Sequence, residues 1–130
     1  MSRARPDGVT YATVPMLLQV AEHITGDPQA DDLGVLDAAV ARHRAEAMGQ
    51  EIYGSIWLKA AALLHTLVRL PALEHSNGQF GWSAAVAFLQ VNGRSLAYEP
   101  KDAAILVRGV IAGDVPVRQV ALQLRQWAQA

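Results

Sequence analysis

The chain has 130 residues, a formal net charge of −1, 52% apolar and 18% charged residues, and no cysteine. That balance suits one globular domain and excludes a disordered chain, a disulfide framework, a thiolate metal site and a cysteine nucleophile. There is no basic block beyond Arg3 and Arg5, so no nucleic-acid footprint, and no apolar run of membrane-spanning length.

Alanine and leucine dominate, which favours helix over sheet. The opening MSRARPDG lacks the apolar core of a signal peptide, so residues 1–8 are expected to be a flexible tail, 9–130 the domain, and the location cytoplasmic. Val9 to Ala12 is a short β-prone run. Thr13 reads as an N-cap, with Pro15 in the first turn of a helix reaching about Ile24 through Met16, Leu17 and Val20. Gly26-Asp27-Pro28 turns the chain. Asp31 or Asp32 caps a second helix, roughly Leu33 to Arg42, with Leu33, Leu36, Ala39 and Val40 inward. A looser stretch, 43–54, follows, from which Met48, Ile52 and Tyr53 are expected to cover the core.

Ser55 caps a third helix with Leu63, Leu64, Leu67, Val68 and Leu70 at helical spacing, stopped by Pro71. The loop Glu74-His75-Ser76-Asn77-Gly78-Gln79 precedes a fourth helix. Its apolar positions are Phe80, Trp82, Ala84, Val86, Ala87, Phe88 and Val91, and Asn92-Gly93 is its stop. Arg94 to Glu99 is expected to pair with Val9–Ala12 as one small β-pair. Pro100 opens a fifth helix to about Ala112, with Ala104, Ile105, Val107, Val110 and Ile111 inward. After Gly113-Asp114, Pro116 opens a sixth through Val117, Val120, Leu124 and Trp127. The pattern predicts a compact all-α domain of about six helices.

The loop lies at the mouth of the fourth helix, where exposed N–H groups and the positive dipole end favour an anion. Ser76, Asn77, Gly78 and Gln79 are the candidate anion- or nucleotide-binding residues. The bland reading is a capped turn, with Ser76 or Asn77 as N-cap. His23 and His43 have no ligand-like partners at helical spacing and read as surface residues, so no metal site is expected. Trp57, Trp82 and Trp127 read as core or groove residues.

Several phrases in order resemble the Doc (death-on-curing) branch of the Fic family: YATVPMLLQV, DDLGVLDAAVAR with Asp32, Gly34, Leu36 and Ala39, KAAALLHTLVR with His65, and WSAAVAFLQVNGRSL with Asn92-Gly93. The resemblance runs from about Tyr11 to Trp127. It implies a Doc-type toxin of a toxin–antitoxin module, transferring phosphate or a nucleotidyl group from a nucleotide to a protein hydroxyl and blocking translation. It also implies ATP and Mg²⁺ as cofactors, and as partner an antitoxin helix or a Doc-like paralogue. A homodimer through an apolar helix face would fit the composition.

The family's loop reads His-x-Phe/Leu-x-Asp/Glu-Gly-Asn-Lys/Gly-Arg, where the His deprotonates the attacking hydroxyl, the carboxylate holds Mg²⁺, and the cations neutralise transferring charge. In the register set by the flanking helices, Pro71 stands at the His position, His75 at the carboxylate, Ser76 at the Gly and Gln79 at the Arg. Leu73, Asn77 and Gly78 match. The resemblance therefore implies a catalytically impaired homologue, a pseudoenzyme that binds a protein. His75, Glu74 and His65 remain as substitutes for the missing base in the alternative reading of an active transferase. A third reading is an anion- or nucleotide-binding module without chemistry.

Overall fold

In a computed structural model, which describes residues 8–129, the chain forms six helices and one two-stranded antiparallel hairpin. They run in the order α1 (Val14–Glu22), α2 (Leu33–His43), β1 (Glu46–Ala47), β2 (Gln50–Glu51), α3 (Ile56–Arg69), α4 (Asn77–Val91), α5 (Pro100–Ile111) and α6 (Val117–Gln126). The expected tail lies outside the described residues apart from Gly8. Among the described residues no helix is long and apolar enough to cross a membrane.

Local chemistry starts the first three helices. Thr13 Oγ1 accepts from the Met16 amide at 3.2 Å, Asp32 Oδ1 from Gly34 at 3.1 Å and Ser55 Oγ from Leu58 at 3.1 Å. Leu70, ahead of Pro71, leaves α3 in an extended conformation. The first helix closes at Glu22, two residues before its expected end, although Ile24 stays buried.

α3 is the central element. Nine of its residues are buried, including Ala60 through Leu64 around a full turn, and it packs against α2, α4, α5 and α6. A helix with so little polar face cannot sit at a surface. Its crossing with α4 is close because Gly81 faces Val68. A Cβ on Gly81 would lie 2.5 Å from Val68 Cγ1 and 3.3 Å from the Val68 amide.

Several sequence expectations require correction. The β-pair joins 46–47 to 50–51 around Met48 and Gly49, both at positive φ, and not 9–12 to 94–99. The Asn92 side chain takes the place of a strand partner: Oδ1 accepts from the Thr10 amide at 2.8 Å, and Nδ2 donates to Thr10 O at 2.9 Å and to Phe88 O at 2.8 Å. The 94–99 segment bonds the C-terminus instead, through Ala97 N to Trp127 O at 2.8 Å and Gln129 N to Ser95 O at 2.9 Å. Met48 and Ile52 are exposed on the hairpin rather than covering the core, and Leu33 and Leu70 are exposed at helix ends.

α5 is turned relative to expectation. Ala103, Val107 and Val110 face inward, while Ala104, Ile105 and Ile111 are exposed. Apolar residues cover more than one face of this helix, so its periodicity alone could not choose the stripe. His43, expected at the surface, is buried with its ring edge-on to Tyr11 and Phe88.

Candidate functional site

The loop between α3 and α4 is a short extended segment held from both sides. Ala72 O accepts from the amides of Asp31 and Asp32 at 2.8 and 3.0 Å, and Leu73 bridges Ala30. Glu74 N donates to Gln29 O at 3.0 Å, and the Glu74 carboxylate accepts from the Gln29 amide at 2.9 Å. From within, Asn77 Oδ1 accepts from the amides of Ala72 and Leu73 at 3.0 Å each, and its Nδ2 donates to Leu73 O at 3.0 Å. Asn77 thus acts as the loop's brace, a role its spacing did not disclose. It is the first residue of α4, and its side chain bonds backward rather than capping the helix.

Ser76, at the N-cap, adopts the left-handed conformation with φ 64° and makes no side-chain cap. Holding a non-glycine residue there costs roughly 1 kcal/mol, and the tight turn that a glycine would make freely is kept. Its hydroxyl is taken by His75 Nδ1 at 2.8 Å. The amides of Gly78 and Gln79 consequently meet no protein acceptor among the described residues. They open beside a groove of about 460 Å³ lined by Gly78, Gln79, Trp82 and Ser83 of α4, by Tyr98, and by Pro100, Ala103, Val107 and Arg108 of α5. Trp82, Tyr98 and Trp127 form an aromatic corner, with Trp82 Nε1 donating to Tyr98 OH at 3.2 Å.

Arg108 is not legible in the sequence, where the loop offers an anion only exposed N–H groups and the helix dipole. It arrives from a distant helix whose facing was misjudged, and an inward stripe of 103, 107 and 110 would have placed 104 and 108 along this groove.

The structure scatters the substitute bases. Pro71 is exposed and has no proton to exchange. Glu74 accepts from the Gln29 amide through one carboxylate oxygen. His75 bonds Ser76, and its Cε1 lies 3.1 Å from where a Cβ on Gly26 would be. His65 opens instead on a separate hollow of about 350 Å³ between α2 and α3, beside Arg42, Thr66 and Arg69. Burial, then the charges of Arg42 and Arg69, hold its imidazole below the usual histidine range.

The residues present do not fit Mg²⁺, a hard ion that takes oxygen ligands. Where the resemblance places its carboxylate, His75 offers nitrogen turned to Ser76, and no group of three His, Asp or Glu among the described residues could hold a metal.

Together these features define a small helical domain in which a braced loop leads into a helix N-terminus. No family model matches the chain. A protein named Toxin Doc from Mycolicibacterium smegmatis is 39% identical over 107 residues, which cover 81% of this chain and 82% of that protein. At that identity and coverage, the chain belongs to the Doc toxin family.

Proposed function

We propose that this chain is a catalytically silent Doc homologue that acts by binding a protein partner, an antitoxin helix or a Doc paralogue, rather than by transferring a group from a nucleotide. One observation carries the reading. The position that would supply the general base is Pro71, and the two neighbours able to replace it, Glu74 and His75, are bonded to Gln29 and Ser76. A base must reach the proton it removes, and a displacement of about 1 Å can cost ~100-fold in rate. The partner half of the reading rests on membership of a family of toxins paired with antitoxins.

The test incubates the full chain with ATP labelled at either the α or the γ phosphate, Mg²⁺ and a cell lysate, and separately co-expresses it with the adjacent reading frame. No labelled protein and a stable 1:1 complex are expected. Label transfer that disappears in His75→Ala or Glu74→Ala would overturn the proposal in favour of an active transferase.

A second reading, anion or nucleotide binding without chemistry, is favoured by the open amides of Gly78 and Gln79 beside Arg108. Calorimetric titration with ATP, with and without Mg²⁺, tests it. Binding should weaken in Arg108→Ala and vanish in Gly78→Asp, whose added Cβ would press on Val107 Cγ1 at 3.1 Å and whose charge repels the ligand.

A further inference from the structure

We propose that the hollow between α2 and α3 lined by Arg42, His65, Thr66 and Arg69 is a binding site for a phosphate-class oxyanion, separate from the groove at the start of α4. The two cavities share no lining residue.

The first support is uncompensated charge held in place. Arg42 Nε donates to Tyr53 OH at 2.9 Å, its Nη1 donates to Thr66 Oγ1 at 3.1 Å, and the guanidinium lies over the Tyr53 ring, 5.6 Å from its centroid. Arg69 Nη1 donates to Val110 O at 2.9 Å. Neither guanidinium has a carboxylate partner among the described residues. Arg42 is oriented by neutral side-chain acceptors, and Arg69 by a carbonyl in the last turn of α5, which offsets part of its charge. Both positions are therefore set in advance, and their remaining N–H groups are left for a ligand.

The second support is the sign of the remaining hydrogen-bonding capacity. His65 Nδ1 faces Arg42 Nη1 at 3.3 Å. A guanidinium can only donate, so Nδ1 is the acceptor and the imidazole proton resides on Nε2. The Thr66 oxygen is likewise used as an acceptor, leaving its O–H as a donor. Arg42, Arg69, His65 and Thr66 therefore offer donors, while Ala38 and the exposed Leu70 close the sides. Two fixed guanidinium groups with donor-only neighbours match the several acceptor oxygens and negative charge of a phosphate. Burial is the main reason that His65 resists protonation, and the charges of Arg42 and Arg69 add to it.

The experiment follows the His65 imidazole C–H resonances of the full chain by NMR at pH 7.5 and low, constant ionic strength. Inorganic phosphate is titrated, with chloride as the ionic-strength control and AMP in parallel. A saturable His65 shift with phosphate, absent with chloride and weakened at least ten-fold in Arg69→Gln, is expected. Arg69 is exposed and is tied to the fold by one bond to Val110 O, so Arg69→Gln leaves the core untouched, and unshifted His43 resonances report that the fold persists. Arg108→Gln, altering only the other groove, should leave the His65 titration unchanged. Equal affinity for phosphate and AMP would show that the oxyanion alone is recognised, and tighter AMP binding that the hollow also contacts the nucleoside. A linear, non-saturating shift, or one identical in Arg69→Gln, would overturn the proposal.

Discussion

Acidification should expose the buried His43 as a weak point of the fold, and the size of the effect follows from its surroundings. The ring lies between Tyr11 and Phe88 with centroids 5.4 Å away on each side. Nε2 accepts from the Ala12 amide at 3.0 Å and Nδ1 faces Val40 O, so the folded state requires the neutral form with its proton on Nδ1. Burial, partly opposed by the backbone acceptors Val40 and Ala39 and reinforced by Arg44 and Lys59, lowers the pKa to about 4. The unfolded chain titrates near the ordinary value of about 6.5. Because the folded value is the lower one, His43 contributes its full stability above about pH 6.5 and loses it as the pH falls towards 4, where the unfolded chain binds the proton first. At about 1.4 kcal/mol per pH unit, some 2 kcal/mol is lost by pH 5. His43→Phe keeps a ring but removes the titration and the acceptor for Ala12, so it should be about 1–3 kcal/mol less stable at pH 7. Urea unfolding of both proteins at pH 7, 6 and 5 should show that gap narrowing by about 2 kcal/mol. His65 also resists protonation, but it titrates in both proteins and cancels in the difference. A gap that stays constant between pH 7 and 5 would refute the reasoning.

Three further outcomes are expected. Asn77→Ala strands the buried Ala72 and Leu73 amides and should lower stability by about 2–4 kcal/mol, seen as a fall in thermal midpoint, with faster amide exchange at 72–74. Gly81→Ala drives a methyl into Val68 at 2.5 Å and should destabilise by about 1–3 kcal/mol; a neutral result in urea unfolding would mean that the α3–α4 crossing can open without penalty. Lys59, buried on α3, donates to Glu51 and to Tyr53 O. Lys59→Ala should cost about 2 kcal/mol, reduced from the value for a deeply buried pair because Glu51 is partly exposed, and should increase proteolysis at Met48-Gly49, whereas unchanged proteolysis would separate the hairpin from Lys59.

What the sequence disclosed was chemistry that acts over a few residues. Thr13, Asp32 and Ser55 cap the helices expected of them, Pro71 ends α3, and Asn92-Gly93 ends α4, because each bonds or strains its own neighbours. What it concealed was set by distant packing. Ile105 and Ile111 carry the same apolar signal as Val107 and Val110, and only contact with α3 and α4 selects between them. The Thr10–Asn92 clamp joins residues 82 positions apart and imitates strand pairing with one side chain. At the site, the loop's position and its open helix mouth were legible, while Arg108 and the bracing role of Asn77 depended on folds of the chain that no local pattern records.

The loop divides its labour between two sets of residues. Its shape is maintained by Asn77, by the buried Ala72 and Leu73, and by their backbone ties to residues 29–32. The positions at which the family resemblance places charged groups, Pro71, His75 and Gln79, are all exposed and supply none of those ties; the His75 ring bonds its neighbour Ser76 instead. Form and reactivity can therefore vary independently in this protein: reactive side chains can be exchanged on the outside of a turn whose curvature is fixed from within. A mould of this kind keeps its outline whichever side chains it carries, which makes it a frame onto which reactive groups can be grafted one position at a time.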